Sequence, residues 1–125
     1  MPWWLLKTEP STYSFDDLVR DRKTRWDGIT NPTALRNVRA MERNDKIIIY
    51  HTGGEKRAVG LADVVTPGDT PEIRAGDRLA EPVGLDTIKA SSVFKDSPLV
   101  KMGRLSVVPL DEKQVRFLMG GGKLR

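Results

Sequence analysis

The sequence predicts an α+β domain built around a small, strongly bent β-sheet or barrel, with short helices at its ends. Three observations lead there. Short apolar runs recur between turn signals, the clearest being KIIIYH at Lys46–His51, followed by Thr52-Gly53-Gly54-Glu55-Lys56 and a second run, Arg57–Val65. Helix-start residues stand before short amphipathic stretches, at Ser14, Asn31-Pro32 and Asp111. The 125 residues show no internal repeat and no interdomain linker, so residues 1–125 read as one domain with one modest core.

Taken in order, Trp3–Lys7 reads as a first strand, a short run of aromatic and long apolar residues, broken by Thr8-Glu9-Pro10-Ser11. Ser14 is placed to cap a helix whose first turn holds Asp16 and Asp17, where negative charge suits the helix dipole. Phe15, Leu18 and Val19 give that helix one apolar stripe, and it frays into Asp21-Arg22-Lys23. Trp26-Asp27-Gly28 is a turn. Asn31 then caps a second helix with Pro32 at its first position, where the missing N–H costs nothing. Ala34, Leu35, Val38 and Met41 form its apolar side, and Asn44-Asp45 turns the chain. Lys46–His51 is a continuous apolar strand covered on both faces. With Arg57–Val65 it makes an antiparallel hairpin, in which Gly60 and Ala62 leave room for close packing. Thr66–Pro71 is loop. Glu72–Leu79 is a weak strand interrupted by Gly76, and Glu81-Pro82 breaks it. Leu85–Ser92 is a short helix, Ser97-Pro98 another break, and Arg104–Val108 the last strand. Asp111 caps a final helix with Val115, Leu118 and Met119 facing inward; Gly120-Gly121-Gly122 ends it, and residues 120–125 form a frayed tail.

Bulk properties narrow the function. Apolar residues make up 38% and charged residues 30%, an ordinary globular composition, and no apolar run is long enough to span a bilayer. A membrane partner is therefore not expected, and neither is a signal peptide. The absence of cysteine removes disulfides, thiolate nucleophiles and thiolate metal sites, which suits a reducing cytoplasm. The net charge of +4 favours an anionic partner. His51 is the only histidine, so a metal would depend on carboxylates alone, and no cofactor is implied. Neither G-x-S-x-G nor G-x-G-x-x-G is present, and Gly120-Gly121-Gly122-Lys123 lacks the strand and helix of a phosphate loop. The one enzyme-like cluster is Lys7-Thr8-Glu9. Its alternative is a polar strand end, because neighbours on an extended strand point to opposite faces.

Several motifs stand in order along nearly the whole chain. Trp4-Leu5-Leu6-Lys7-Thr8-Glu9-Pro10 fits W-L-x-K-S/T-E-P, and Tyr13-Ser14-Phe15-Asp16-Asp17-Leu18 follows it. Trp26–Asn31 fits W-D/E-G-V-R-N, with Ala34-Leu35-Arg36-Asn37 after it. Tyr50-His51-Thr52 is similar to Y-H-S, Val59–Ala62 to I-V-G-I-A, and Gly103–Val107 to Q-G-R-L-S-V. Together they resemble the EVE domain. The resemblance implies a PUA-like pseudo-barrel with a mixed sheet, akin to the YTH readers of methylated adenine. It also implies a nucleic-acid-binding module that holds a modified or flipped-out base in an aromatic-walled pocket. Thr30 and Pro32 depart from the family beside that pocket, and Thr66–Leu79 is shorter and lacks its usual aromatics, which leaves one wall more open.

The expected site follows. Trp26 is either the anchor of its turn or a base-stacking wall. Tyr50 and His51 end a buried strand on opposite faces, one packing and the other directed to the cavity; His51 is either structural or a donor to a base edge or phosphate. Asn31 is either a helix cap alone or the cap of a helix whose free N–H groups meet a phosphate or a base carbonyl. Lys7, Thr8, Glu9, Arg104 and Ser106 are expected to add polar groups around the base. Arg36, Arg39 and Arg43, at i, i+3 and i+7, form either a solvated face or a phosphate-binding stripe. No residue is assigned a catalytic role. The alternatives are a PUA-like amidohydrolase acting on a modified pyrimidine nucleoside through Lys7, Thr8 and Glu9, and a small-ligand-binding module. The sequence does not specify DNA over RNA, nor an oligomeric state.

Overall fold

The computed structural model describes residues 2–122. Six strands, β1 (Trp3–Thr8), β2 (Lys23–Arg25), β3 (Lys46–His51), β4 (Arg57–Thr66), β5 (Glu72–Gly84) and β6 (Val107–Leu110), form one sheet in the order β2-β5-β4-β3-β1-β6. The sheet is mixed: β1 and β3 run parallel, and the other pairings are antiparallel. Its bend has a visible cause. The β4–β5 register shifts at three places and the β3–β4 register between Ile49 and Tyr50. Each irregularity bends the strand and increases its twist, so the sheet curls into a half-barrel.

Short helices close its faces and ends: α1 (Phe15–Asp21), α2 (Pro32–Ala40), α3 (Leu85–Ala90), α4 (Pro98–Lys101) and α5 (Glu112–Met119). The capping residues act as the sequence indicates. Ser14 and Asp111 form reciprocal capping boxes with Asp17 and Gln114, and the Asn31 side chain accepts from the Ala34 N–H. Gly60 is where α1 meets the sheet: a Cβ there would run into the Phe15 ring, so this contact requires glycine. At the centre, β3 is buried on both faces from Ile47 to His51, between β1 and β4. The Trp4 indole N–H donates to the buried Asp45 carboxylate at 3.0 Å, which also accepts the Glu42 N–H.

The structure corrects several sequence expectations. The sequence indicates neither β2 nor α4, only a fray to Lys23 and a break at Ser97-Pro98, because too few residues lie in each element for periodicity to register. The weak strand 72–79 continues to Gly84. Its pairing with β2 ends at Arg74, so the missing N–H of Pro82 falls on an outer edge with no strand to serve. The last strand starts at Val107 rather than Arg104, and α3 ends at Ala90. Val19 and Met119 are exposed, and the inward face of α5 is Gln114, Val115, Phe117 and Leu118. Gly120–Gly122 are not frayed: their N–H groups bond back to carbonyls of Arg116, Leu118 and Phe117, with Gly121 and Gly122 at positive φ. Residues 123–125 of the expected tail lie outside the described residues.

Candidate nucleic-acid interface

A cleft of about 670 Å³ lies between the end of β1, the segment 12–13, the stretch from β2 to the start of α2, and residues 104–106. Trp26 stands in it, half-buried. Its backbone N–H donates to Pro71 O at 2.8 Å, tying the turn to the start of β5. Gly28, at φ +78°, allows the turn that returns the chain towards Asn31. The second aromatic wall is Tyr13, whose ring meets that of Trp26 edge-on, with centroids 6.1 Å apart and planes at 84°. The Tyr13 hydroxyl donates to Asp21 at 2.8 Å; burial first, and then this carboxylate, holds the phenol above its ordinary range.

Polar groups ring the cleft. Lys7, at the end of β1, is half-buried; its ammonium donates to Gly103 O at 2.9 Å, and burial holds it below the usual lysine range. Thr8 donates to Tyr13 O at 2.6 Å, and the Glu9 carboxylate accepts from Ser11 and Thr52. All three side chains line the cleft because β1 stops at Thr8 and the chain turns. Each nonetheless engages a different partner, and no hydrogen bond joins them among the described residues. Arg104 and Ser106 line the opposite rim, and Asn31 the end near α2. The α2 N-terminus offers little to an anion. Pro32 has no N–H, and those of Ala34 and Leu35 bond to the Asn31 side chain and carbonyl, which leaves Thr33.

Five expected residues stand elsewhere. Tyr50 and His51 do take opposite faces of β3, but neither lines the Trp26 cleft. Tyr50 is buried under Lys7, whose ammonium lies 5.7 Å from its ring centroid, and it floors a separate small cleft. His51 turns towards α1, where its Nε2 accepts the Phe15 N–H at 2.9 Å. Nδ1 therefore carries the proton of the neutral ring and faces Glu55 at 3.0 Å. This is a structural histidine that ties helix to strand. The arginine stripe is also broken. α2 ends at Ala40, so Arg43 lies beyond it, Arg39 is paired with Asp69 at 2.7 Å, and none of Arg36, Arg39 and Arg43 reaches the cleft. Sequence reasoning missed Tyr13, Thr24 and Arg25 as lining residues. Tyr13 had a signal, its place in the motif beside Ser14; β2, which carries the other two, had none.

Among the described residues, no group of three or more His, Asp or Glu side chains is arranged to hold a metal ion, and no helix is long and apolar enough to cross a membrane. The aromatic pair offers a stacking surface, and the hydroxyl, amide and charged groups around it, Lys7, Arg25 and Arg104 outnumbering Glu9 and Asp27, offer donors and acceptors. Such a cleft suits a flat, polar, anionic ligand.

Known proteins share this architecture. Thymocyte nuclear protein 1 of Rattus norvegicus is 25% identical, over 94% of this chain and 72% of its own length. The crystal structure of protein Atu2648 from Agrobacterium tumefaciens superposes with a TM-score of 0.91 at 29% identity, covering 99% of this chain and 94% of that one. Human THYN1 protein in complex with 5-methylcytosine-containing DNA matches with a TM-score of 0.89 at 19% identity, covering 100% and 99%. The fold is thus the PUA-like one, a mixed half-barrel with short helices. Residues 2–72, which carry β1, the Trp26 turn, α2 and the β3–β4 hairpin, match the EVE domain, and the chain belongs to the EVE domain family.

Proposed function

We propose that this protein is a nucleic-acid-binding module that takes one modified or flipped-out base into the Trp26 cleft. The observation that carries this reading is the aromatic pair: Trp26 and Tyr13 form an edge-on corner in a cleft whose lining is mostly polar, with Lys7, Arg25 and Arg104 set against the carboxylates of Glu9 and Asp27. In this reading the base lies against Trp26, Asn31, Thr8 and Ser106 meet its edge, and Lys7, Arg25 and Arg104 hold its phosphate or those beside it. The human THYN1 protein, which shares the fold, was crystallised with DNA containing 5-methylcytosine, and that base is the first ligand to try. RNA carrying the same modification is the second.

The test is a titration of wild type and Trp26→Ala with oligonucleotides that differ only in one 5-methylcytosine. A lost stacking platform costs about 1–3 kcal/mol of affinity. Trp26 is partly buried and packs against the core, so melting is followed on the same samples and affinity is compared where both proteins are folded. A folded Trp26→Ala protein that binds like wild type removes Trp26 from the site, and equal binding of modified and plain oligonucleotides removes the modified base. The protein is further proposed to bind without turnover, since the Thr8 hydroxyl proton is directed at Tyr13 O rather than at a base. Hydrolysis of an acylated or aminated pyrimidine nucleoside that disappears in Thr8→Ala would replace this reading with the amidohydrolase.

A further inference from the structure

Beside the Trp26 cleft lies a smaller one of about 190 Å³, and Lys7 lines both. Its floor is apolar, made by Tyr50, Leu85 and Leu99, and its rim carries Lys7, Lys56 and Lys89. Three links of the fold bring these cations together from distant parts of the chain. Lys7 is registered on Tyr50 by the parallel β1–β3 pairing. Lys56 ends the turn after β3, at φ +48°. The Leu85 N–H donates to Lys56 O at 2.8 Å, fixing the start of α3 to that turn, and Lys89 follows one helical turn later.

Four arginines around the sheet find carboxylates: Arg39 with Asp69, Arg57 with Glu55, Arg74 with Asp63 and Arg78 with Asp16. Among the described residues, no carboxylate lies within ion-pair distance of Lys7, Lys56 or Lys89. Three lysines around one cleft leave it positively charged, and an anion there offsets that charge.

We propose that this smaller cleft is a backbone subsite, which receives the sugar and phosphodiester of the nucleotide next to the one whose base enters the Trp26 cleft. The proposal rests on the reading above. An apolar floor beneath a cationic rim matches a sugar–phosphate better than a bare anion, which has no use for Tyr50 and Leu99. Lys7, on the ridge between the clefts, then contacts the phosphate that joins the two nucleotides. The burial that lowers its pKa is offset when that phosphate arrives. Arg36 and Arg43 of the expected stripe line neither cleft.

The test compares wild type, Lys56→Gln, Lys89→Gln, their double variant and an Arg36→Gln/Arg43→Gln control. Single-stranded oligonucleotides without a modified base are titrated over a range of salt. Each lost phosphate contact reduces the slope of log affinity against log salt by about 0.7 for a single strand. The lysine variants should lower the slope and weaken plain and modified oligonucleotides by the same factor, while the arginine control keeps the wild-type slope. Both lysines are exposed, so melting should not move. An unchanged slope in the double lysine variant, or a slope lost in the arginine control instead, overturns the subsite, as does failure of the wild type to bind any oligonucleotide. The base reading is scored separately, by 5-methyl-deoxycytidine, which has no phosphate: it should bind wild type and lysine variants alike and be lost in Trp26→Ala. Silence of that nucleoside together with a lysine-dependent slope sinks the base pocket and keeps the backbone subsite.

Discussion

At the scale of single residues, His51 and Tyr13 exchange the roles their positions suggest. A lone histidine beside a tyrosine at a strand end invites a place in the site. In the fold its Nε2 instead accepts a backbone N–H at the start of α1 and its Nδ1 meets Glu55, so both ring nitrogens are occupied by structure. His51→Ala should therefore cost stability, about 1–3 kcal/mol for the buried Phe15 N–H left without an acceptor. The folded fraction should bind ligand as wild type does. Denaturant unfolding and a binding titration on the same sample separate the two, and a stable variant with lost affinity would return His51 to the site. Tyr13, by contrast, is packed against the core on one side and meets Trp26 on the other.

At the scale of elements, the start of α2 combines two functions in Asn31. Its Oδ1 accepts the Ala34 N–H at 3.0 Å, and the residue lines the Trp26 cleft. Asn31→Asp separates them. Aspartate caps as well as asparagine, so the melting temperature should hold. It also places a negative charge where an anionic ligand is to lie, and affinity for any oligonucleotide should fall. Loss of stability with unchanged affinity would show that the residue is a cap and nothing more. The same helix explains the failed arginine stripe. Helical spacing aligns Arg36, Arg39 and Arg43 only while the helix lasts, and at Met41 the backbone is already extended.

At the scale of the whole molecule, acid sensitivity follows from carboxylates whose partners favour the charged form. Asp17 is held below its ordinary range by the Ser14 N–H, Asp21 by Arg20, Asp69 by Arg39 and Glu55 by His51. A carboxylate with a depressed folded pKa contributes stability that is present above its unfolded value and is lost as the pH falls through the folded one. With unfolded values of 3.8 for aspartate and 4.5 for glutamate, these carboxylates should add no pH dependence to melting from neutrality to about pH 4.5 and a decline below it. These groups are exposed, so the decline should be gradual and shallower at high salt. A melting temperature constant from pH 7 to pH 3 would show that the pairs contribute nothing.

What the sequence alone determined is what a few neighbouring residues settle among themselves. The caps at Ser14, Asn31 and Asp111 form because each bond spans three residues. β3 is buried on both faces because its apolar run leaves it no polar side. The ordered motifs also carried the fold, since together they fix most of its elements. Only the tertiary structure decided the rest. β2 exists because β5 is there to pair with it, and β5 runs on to Gly84 because β4 pairs with it that far, Arg57 opposite Gly84. Tyr50 and His51 lie away from Trp26 because the side of the sheet each residue faces depends on strand pairing, and the β3–β4 register shifts between Ile49 and Tyr50. Arg39 is neutralised by Asp69, thirty residues away. Tyr13 becomes a wall of the cleft because β2, paired with β5 and followed by the bond from Trp26 N to Pro71 O, carries Trp26 against it. Caps and apolar periods are enthalpic and packing preferences within one segment. Strand pairing, register and ion pairs between loops depend on which segments the folded core brings within reach, and no short stretch of sequence contains that information.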